Sequence, residues 1–111
     1  MRLYNNSYFC RMIIYNETII VDEGIYKEWL NWMQTVHIPT VMATGYFDSY
    51  RVLNVLDSPN EGVTYCIQYQ ASTLENYNKF NTEHQQSLQA AHQQRFENMF
   101  VMFNTIMQTV D

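Results

Sequence analysis

Only two cysteines, Cys10 and Cys66, occur in the 111 residues. One lies in an N-terminal stretch without clear periodicity and the other inside a predicted strand, so they form neither a disulfide framework nor a zinc-ligand pattern. Cys66 reads as a small buried apolar group. Basic residues are scarce as well: six Lys and Arg stand against eleven Asp and Glu, a formal charge of −5. From Met12 onward only Lys27, Arg51, Lys79 and Arg95 remain against the same eleven acids, which gives −7. Without a basic patch there is no electrostatic footprint for a phosphate backbone, which argues against nucleic acid and anionic membranes as partners. Uninterrupted apolar runs are only a few residues long, too short to span a bilayer. Residues 1–11 lack the apolar stretch of a secretory signal, so the expected compartment is the cytoplasm. No G-x-S-x-G, P-loop or H-E-x-x-H occurs, so no catalytic residue is announced by a motif.

Aromatic rings, by contrast, are abundant: nine Tyr, six Phe and two Trp. Large amphipathic rings suit both strands and interfaces. The length fits one small domain, divided here into a loose extension over residues 1–11 and a single domain over 12–111. Residues 12–21, MIIYNETIIV, have the β-branched and aromatic content of a strand. Asp22 then offers a helix N-cap. Ile25, Trp29, Trp32, Met33 and Val36 recur at helical spacing, until His37-Ile38-Pro39 interrupts and a short continuation ends at Gly45. A second strand over 46–56, the turn cluster Asp57-Ser58-Pro59-Asn60-Glu61-Gly62 and a third strand over Val63–Ala71 read as a hairpin. Ser72-Thr73-Leu74-Glu75 is a capping box. It opens a second helix, to about Arg95, whose apolar stripe is Leu74, Tyr77, Phe80, His84, Leu88 and Ala91. Residues 99–110 form the last strand.

Two right-handed β-α-β crossovers joined by a hairpin predict an α+β, ferredoxin-like βαββαβ fold: a four-stranded antiparallel sheet of order 4-1-3-2 with both helices on one face. The last strand alternates Phe100, Met102 and Ile106 on one side with Val101, Phe103 and Met107 on the other. Helices cover only one side, so the apolar open face implies a partner, most simply a second copy related by twofold symmetry.

One set of motifs resembles a known family. They are M-I-I-Y-N-x-T from Met12, W-x-x-W-M from Trp29 to Met33, H-I-P from His37 and T-G-x-F from Thr44. T-Y-x-x-Q-Y from Thr64, Glu83-His84 and H-x-x-R-F from His92 complete it. Together they are similar to a bacterial family of short uncharacterised proteins, over nearly all of residues 12–110. The resemblance implies a ferredoxin-like, dimeric α/β-barrel type of domain that begins near Met12. It brings no established activity, cofactor or catalytic residue.

Candidate site residues follow from placement. His84 and His92 lie eight residues apart on one helix, hence about 80° around it and about 12 Å along it, too far to share a metal. No metal site is expected, and any cofactor is left open. His84 sits on the apolar stripe, where a packed histidine and a functional one look alike. His37 ends the first helix and is expected to approach His84, or simply to complement the helix C-terminus. Asn16, Gln68, Arg51 and Asn104 are expected to meet on the open sheet face and either line a pocket enclosed by the dimer or satisfy one another. Three functions compete. One is a homodimeric small-molecule-binding or regulatory module. Another is a cofactor-poor or haem-dependent monooxygenase-like enzyme. The third is a purely structural dimerisation domain. The haem version rests on fold-level analogy alone: such enzymes use an Asn on the first strand and a His on the second helix, places that Asn16 and His84 resemble, and the Trp expected on the third strand is absent, with Tyr69 nearby.

Overall fold

The computed structural model describes residues 11–110; the extension, with Cys10, lies outside the described residues. Four strands, β1 (Ile13–Val21), β2 (Ser49–Val55), β3 (Val63–Ala71) and β4 (Phe100–Gln108), form one antiparallel sheet of order β2-β3-β1-β4. This is the expected order, and it places β1 and β3 at the centre. Alternation along β1 turns Ile13, Tyr15, Glu17, Ile19 and Val21 toward the helices, where all five are buried. Ile14, Asn16, Thr18 and Ile20 face the other way. On β3 the helix-facing set is Tyr65, Ile67, Tyr69 and Ala71, each buried. The hairpin between β2 and β3 ends at Gly62, whose φ is +92° and whose missing Cβ would sit 2.4 Å from the Val21 carbonyl oxygen, so only glycine fits there.

The first helical segment runs as α1 (Tyr26–Trp32), a wide π turn (Met33–His37) and α2 (Ile38–Ala43). Two expectations are corrected here. Asp22 does not cap the helix; its carboxylate accepts the Gly24 N–H at 2.7 Å and tightens the preceding turn, while Ile25 takes the N-cap position. Pro39 does not break the helix either. A proline crowds the turn before it and offers no N–H, and the wider i→i+5 turn ending at His37 relieves that crowding. Gly45, at φ +83°, ends the segment as expected.

The second segment is α3 (Leu74–Phe80), a π turn (Asn81–Gln85) and α4 (Gln86–Arg95). Its cap is Thr73, whose hydroxyl accepts the Asn76 N–H at 3.0 Å, one residue beyond the expected Ser72. The π turn holds one residue more per turn than an α-helix and so advances the apolar stripe by one position. Downstream of Phe80 the buried residues are Gln85, Leu88, His92 and Phe96, in place of the expected His84 and Ala91. The core between helices and sheet is dominated by rings, with Trp29, Tyr15, Tyr69, Phe80 and Phe96 fully enclosed.

Among the described residues, no helix covers the opposite sheet face. On it Leu53, Val55, Val101, Phe103 and Met107 are 40%, 38%, 58%, 54% and 37% exposed, a large apolar surface for a small protein. Among the described residues no helix is long and apolar enough to cross a membrane.

Candidate functional site

Polar side chains gather in three places, and the pleat of β1 separates two of them. On the open face the Arg51 Nε–H donates to Gln68 Oε1 at 2.9 Å, and Gln68 Nε2 donates to Asn16 Oδ1 at 3.2 Å. Asn16 Nδ2 in turn donates to the Thr18 hydroxyl at 2.9 Å, which lies 3.6 Å from Cys66 Sγ. The ladder explains this track: Asn16 pairs with Gln68, Gln68 with Arg51 and Thr18 with Cys66 across the three strands, so every second residue meets its neighbour on one face. Beside the track a cleft of about 310 Å³ is lined by Ile14, Ser49, Arg51, Gln68, Gln70 and Thr109, among others.

Three of the four residues expected on this face are therefore together, and Asn104 is not. It is the cross-strand partner of Glu17 and so faces the helix side, where it lines a groove with Gln86, Gln89 and Gln93 of α4. The period-two rule decides this: counted back from Met107 and Phe103 on the open face, position 104 falls on the other side.

The second place lies beneath α3 and α4, around Glu17. Its carboxylate is buried, with the residue 3% exposed. The Tyr15 hydroxyl donates to Glu17 Oε2 at 2.9 Å and accepts from Gln85 Nε2, which the π turn swings onto the sheet. Glu17 Oε1 and the Tyr69 hydroxyl have no partner among the described residues. Burial pushes the Glu17 carboxyl up to about 7, against a partial opposing effect of the Tyr15 hydrogen bond. Burial, and next the nearby Glu17 charge, push the Tyr15 and Tyr69 hydroxyls upward. The walls are aromatic: Tyr15 lies with ring centroids 6.0 Å from Tyr69, 5.5 Å from Tyr77 and 5.9 Å from Phe80. A carboxyl that changes charge near neutrality, next to an unpaired hydroxyl, can accept or donate a proton at working pH.

The third place is a histidine pair. His37 approaches His92, not His84, with ring centroids 5.5 Å apart. The phase shift that buried Gln85 also turned His92 inward. Trp29 Nε1 donates to His92 Nε2 at 2.9 Å, so His92 is neutral with its proton on Nδ1, and its ring lies flat on Phe100 at 3.9 Å. Burial lowers His37 to about 4, and burial together with His37 lowers His92 to about 3. His84 lies outside this core, half-buried against Tyr46 and Phe80 and 3.8 Å from a Glu83 oxygen. Asn16 and His84 lie on opposite sides of the sheet, so within one protomer they do not face a common space. Among the described residues no three His, Cys, Asp or Glu side chains converge on a point that could hold a metal ion.

Glu17, Tyr15 and Gln85 were not singled out from sequence; Tyr69 was noted only near the place of an absent Trp, and His92 only as too far from His84 to share a metal. The signal for Glu17 was present: it is the one acid in the alternation Ile13, Tyr15, Ile19, Val21. Gln85 and His92 depended on the π turn.

A family model described as a domain of unknown function (DUF4286) matches residues 12–110, so the chain belongs to that family. No curated protein matches it. Among solved structures, a putative antibiotic biosynthesis monooxygenase from Nitrosomonas europaea superposes with a TM-score of 0.66 at 7% identity, covering 89% of this chain and 90% of that one. A cofactor-independent oxygenase from Streptomyces nogalater gives 0.63 at 8% identity, covering 89% and 92%. A dimeric ferredoxin-like protein of unknown function from Thermobifida fusca gives 0.59 at 10% identity, covering 98% and 96%. At these identities the likeness establishes the ferredoxin-like fold.

Proposed function

We propose that this family member is a cytoplasmic homodimeric module that binds a small molecule between two facing sheets. The observation that carries the reading is the polar track from Arg51 through Gln68 to Asn16, which with its cleft shares one sheet face with exposed apolar side chains. Val101, Phe103 and Met107 on one side and Leu53 and Val55 on the other lose water when a second copy covers them. The track between them then becomes the floor of an enclosed space. The Arg51 guanidinium spends one N–H on Gln68, and its remaining donors suit a ligand that offers acceptor oxygens. The fold neighbour from Thermobifida fusca is described as dimeric, which supports the pairing.

Sedimentation at micromolar concentration is expected to give two copies, and Phe103→Glu a folded monomer. Native mass spectrometry of the purified protein is expected to show a retained small ligand, reduced in Arg51→Ala. A wild-type monomer sinks the reading at its base, and a dimer whose mass equals two bare chains leaves a structural dimerisation domain. The oxygenase alternative is compatible with the neighbours' fold. Its haem form loses the residues that motivated it, because Asn16 and His84 point to opposite sides of the sheet.

A further inference from the structure

The polar track on the open sheet face has a direction that the pairing of two copies does not explain. We infer that the intersubunit pocket takes a small organic monocarboxylate, its carboxylate held on the Arg51 guanidinium and its apolar body lying toward Ile14. The inference rests on the reading of this face as a dimer interface and names the chemistry of what that interface encloses.

A guanidinium offers N–H donors and no acceptor, so Arg51 fixes which end of the Gln68 amide turns toward it: Gln68 Oε1 accepts from Arg51 Nε at 2.9 Å. Gln68 Nε2 is thereby turned to Asn16, whose Oδ1 accepts at 3.2 Å, and Asn16 Nδ2 donates onward to the Thr18 hydroxyl at 2.9 Å. Every side-chain oxygen from Gln68 to Thr18 thus already accepts a hydrogen bond from within the track. What remains is N–H: the terminal groups of the guanidinium and the second amide hydrogen of Gln68, which have no further partner among the described residues. A surface of donors suits a group that only accepts, as an ionised carboxylate does. Space lies directly at these donors. Arg51 and Gln68 line the cleft of about 310 Å³ on one rung of the sheet, and Ser49, Gln70 and Ile14 line it on the next. Arg51 is exposed to solvent there, so the way in is open. Among the described residues that line the cleft, Arg51 is the only charged one, and an entering anion meets no opposing carboxylate. Charge narrows the ligand further. The chain carries a formal −5, and one guanidinium neutralises one negative charge, which favours a monoanion over a phosphate dianion. The planar fork of a guanidinium also matches a planar carboxylate. Beside this clamp Ile14 and its cross-strand partner Met107, 37% exposed, offer apolar surface for a hydrocarbon body. An exposed ion pair is weak in water. A second copy over the face lowers the local dielectric and strengthens it, so the site is complete only in the dimer.

Isothermal titration calorimetry of the whole protein at neutral pH tests this with two pairs of probes alike in shape and unlike in charge: benzoate with benzamide, and hexanoate with hexanamide. One carboxylate is expected to bind per protomer, at least about tenfold more tightly than its amide. Arg51→Met should erase that preference. Gln68→Glu should erase it too, because it keeps Arg51 but supplies the guanidinium with a carboxylate of its own. Lys79→Met, which removes an exposed cation on α3, should leave the preference intact. No carboxylate bound, equal binding of acid and amide, or a preference that survives Arg51→Met would overturn the inference. Should Gln68→Glu fail to fold, the acid-to-amide ratio on the native protein and the surface variant Arg51→Met still decide. Sedimentation of the same samples separates this failure from that of the dimer reading. A dimer without the preference sinks the carboxylate alone, whereas a wild-type monomer sinks both.

Discussion

Asn16 and Glu17 are neighbours in the chain and opposites in the fold. Asn16 faces the helix-free side of the sheet and is fully engaged, accepting from Gln68 and donating to Thr18. Glu17 faces the helices, under rings, with one oxygen unpaired among the described residues. Both residues are buried, at 6% and 3% exposed, yet the Asn16 amide oxygen and nitrogen each have a partner while one Glu17 oxygen has none among the described residues. Ordinary stability arguments run against the unpaired oxygen, since a buried polar group should be satisfied first. The contrast teaches that polar side chains paired across neighbouring strands are buried at little cost, whereas the core carries a carboxyl that costs stability whenever it is charged.

Glu17→Gln is the variant that tests this contrast hardest. The Glu17 carboxyl is raised from 4.5 to about 7 in the folded protein. A raised carboxyl favours the fold in its protonated form, so the native protein is expected to lose stability as pH rises from about 4.5 through about 7. In full that loss is about 3 kcal/mol. Glu17→Gln removes it: the variant should melt above wild type at pH values past neutrality, and the gap should close in acid. Parallel melting curves at both extremes of pH would remove Glu17 from the account.

The histidine pair titrates with the opposite sign and sharpens the comparison. His37 is lowered from 6.5 to about 4. Its neutral form fits the core, so stability is present above about 6.5 and is lost as pH falls through about 4. His37→Leu is expected to flatten the acid limb of stability by up to about 3 kcal/mol. Urea midpoints across the acid range would check this, and an unchanged acid slope would mean that His37 is already hydrated.

Breaking the complete network should matter less. Asn16→Ala leaves the part-buried Gln68 and Thr18 without their shared partner, an expected loss of about 1 kcal/mol. Measured against Glu17→Gln in neutral buffer, the two neighbouring substitutions should move melting temperature in opposite directions. His84→Leu is expected to change stability least, within about 0.5 kcal/mol, because the ring is half-buried at the rim of the core. A larger loss would show that its contacts with Tyr46 and Phe80 hold the helix in place.

What was legible in the sequence is what depends on local periodicity. Alternation put Asn16 on the open face of β1 and separated the two sides of β4, and the order of elements with right-handed crossovers led to the β2-β3-β1-β4 sheet. The track from Asn16 to Gln68 to Arg51 was legible for the same reason, because a strand residue's face follows from parity alone. Parity also placed Asn104 with Glu17, and assigning it to the open face was an error in applying that rule. The helices were harder. Nothing local announces the π turn at Asn81–Gln85. That insertion exchanged His84 for Gln85 and Ala91 for His92 on the buried stripe.

By itself, then, the sequence determined the strand faces, the fold and the apolar surface left uncovered, since each follows from the two-residue and roughly 3.6-residue periods of a single element. Only the tertiary structure decided which histidine is buried, that His37 meets His92, and that the Glu17 carboxyl lies under Tyr15 and Gln85 with one oxygen unpaired. Those outcomes depend on the phase at which a helix lands on a sheet. Phase is settled by the packing of both elements together, and a displacement of one residue turns a different side chain inward.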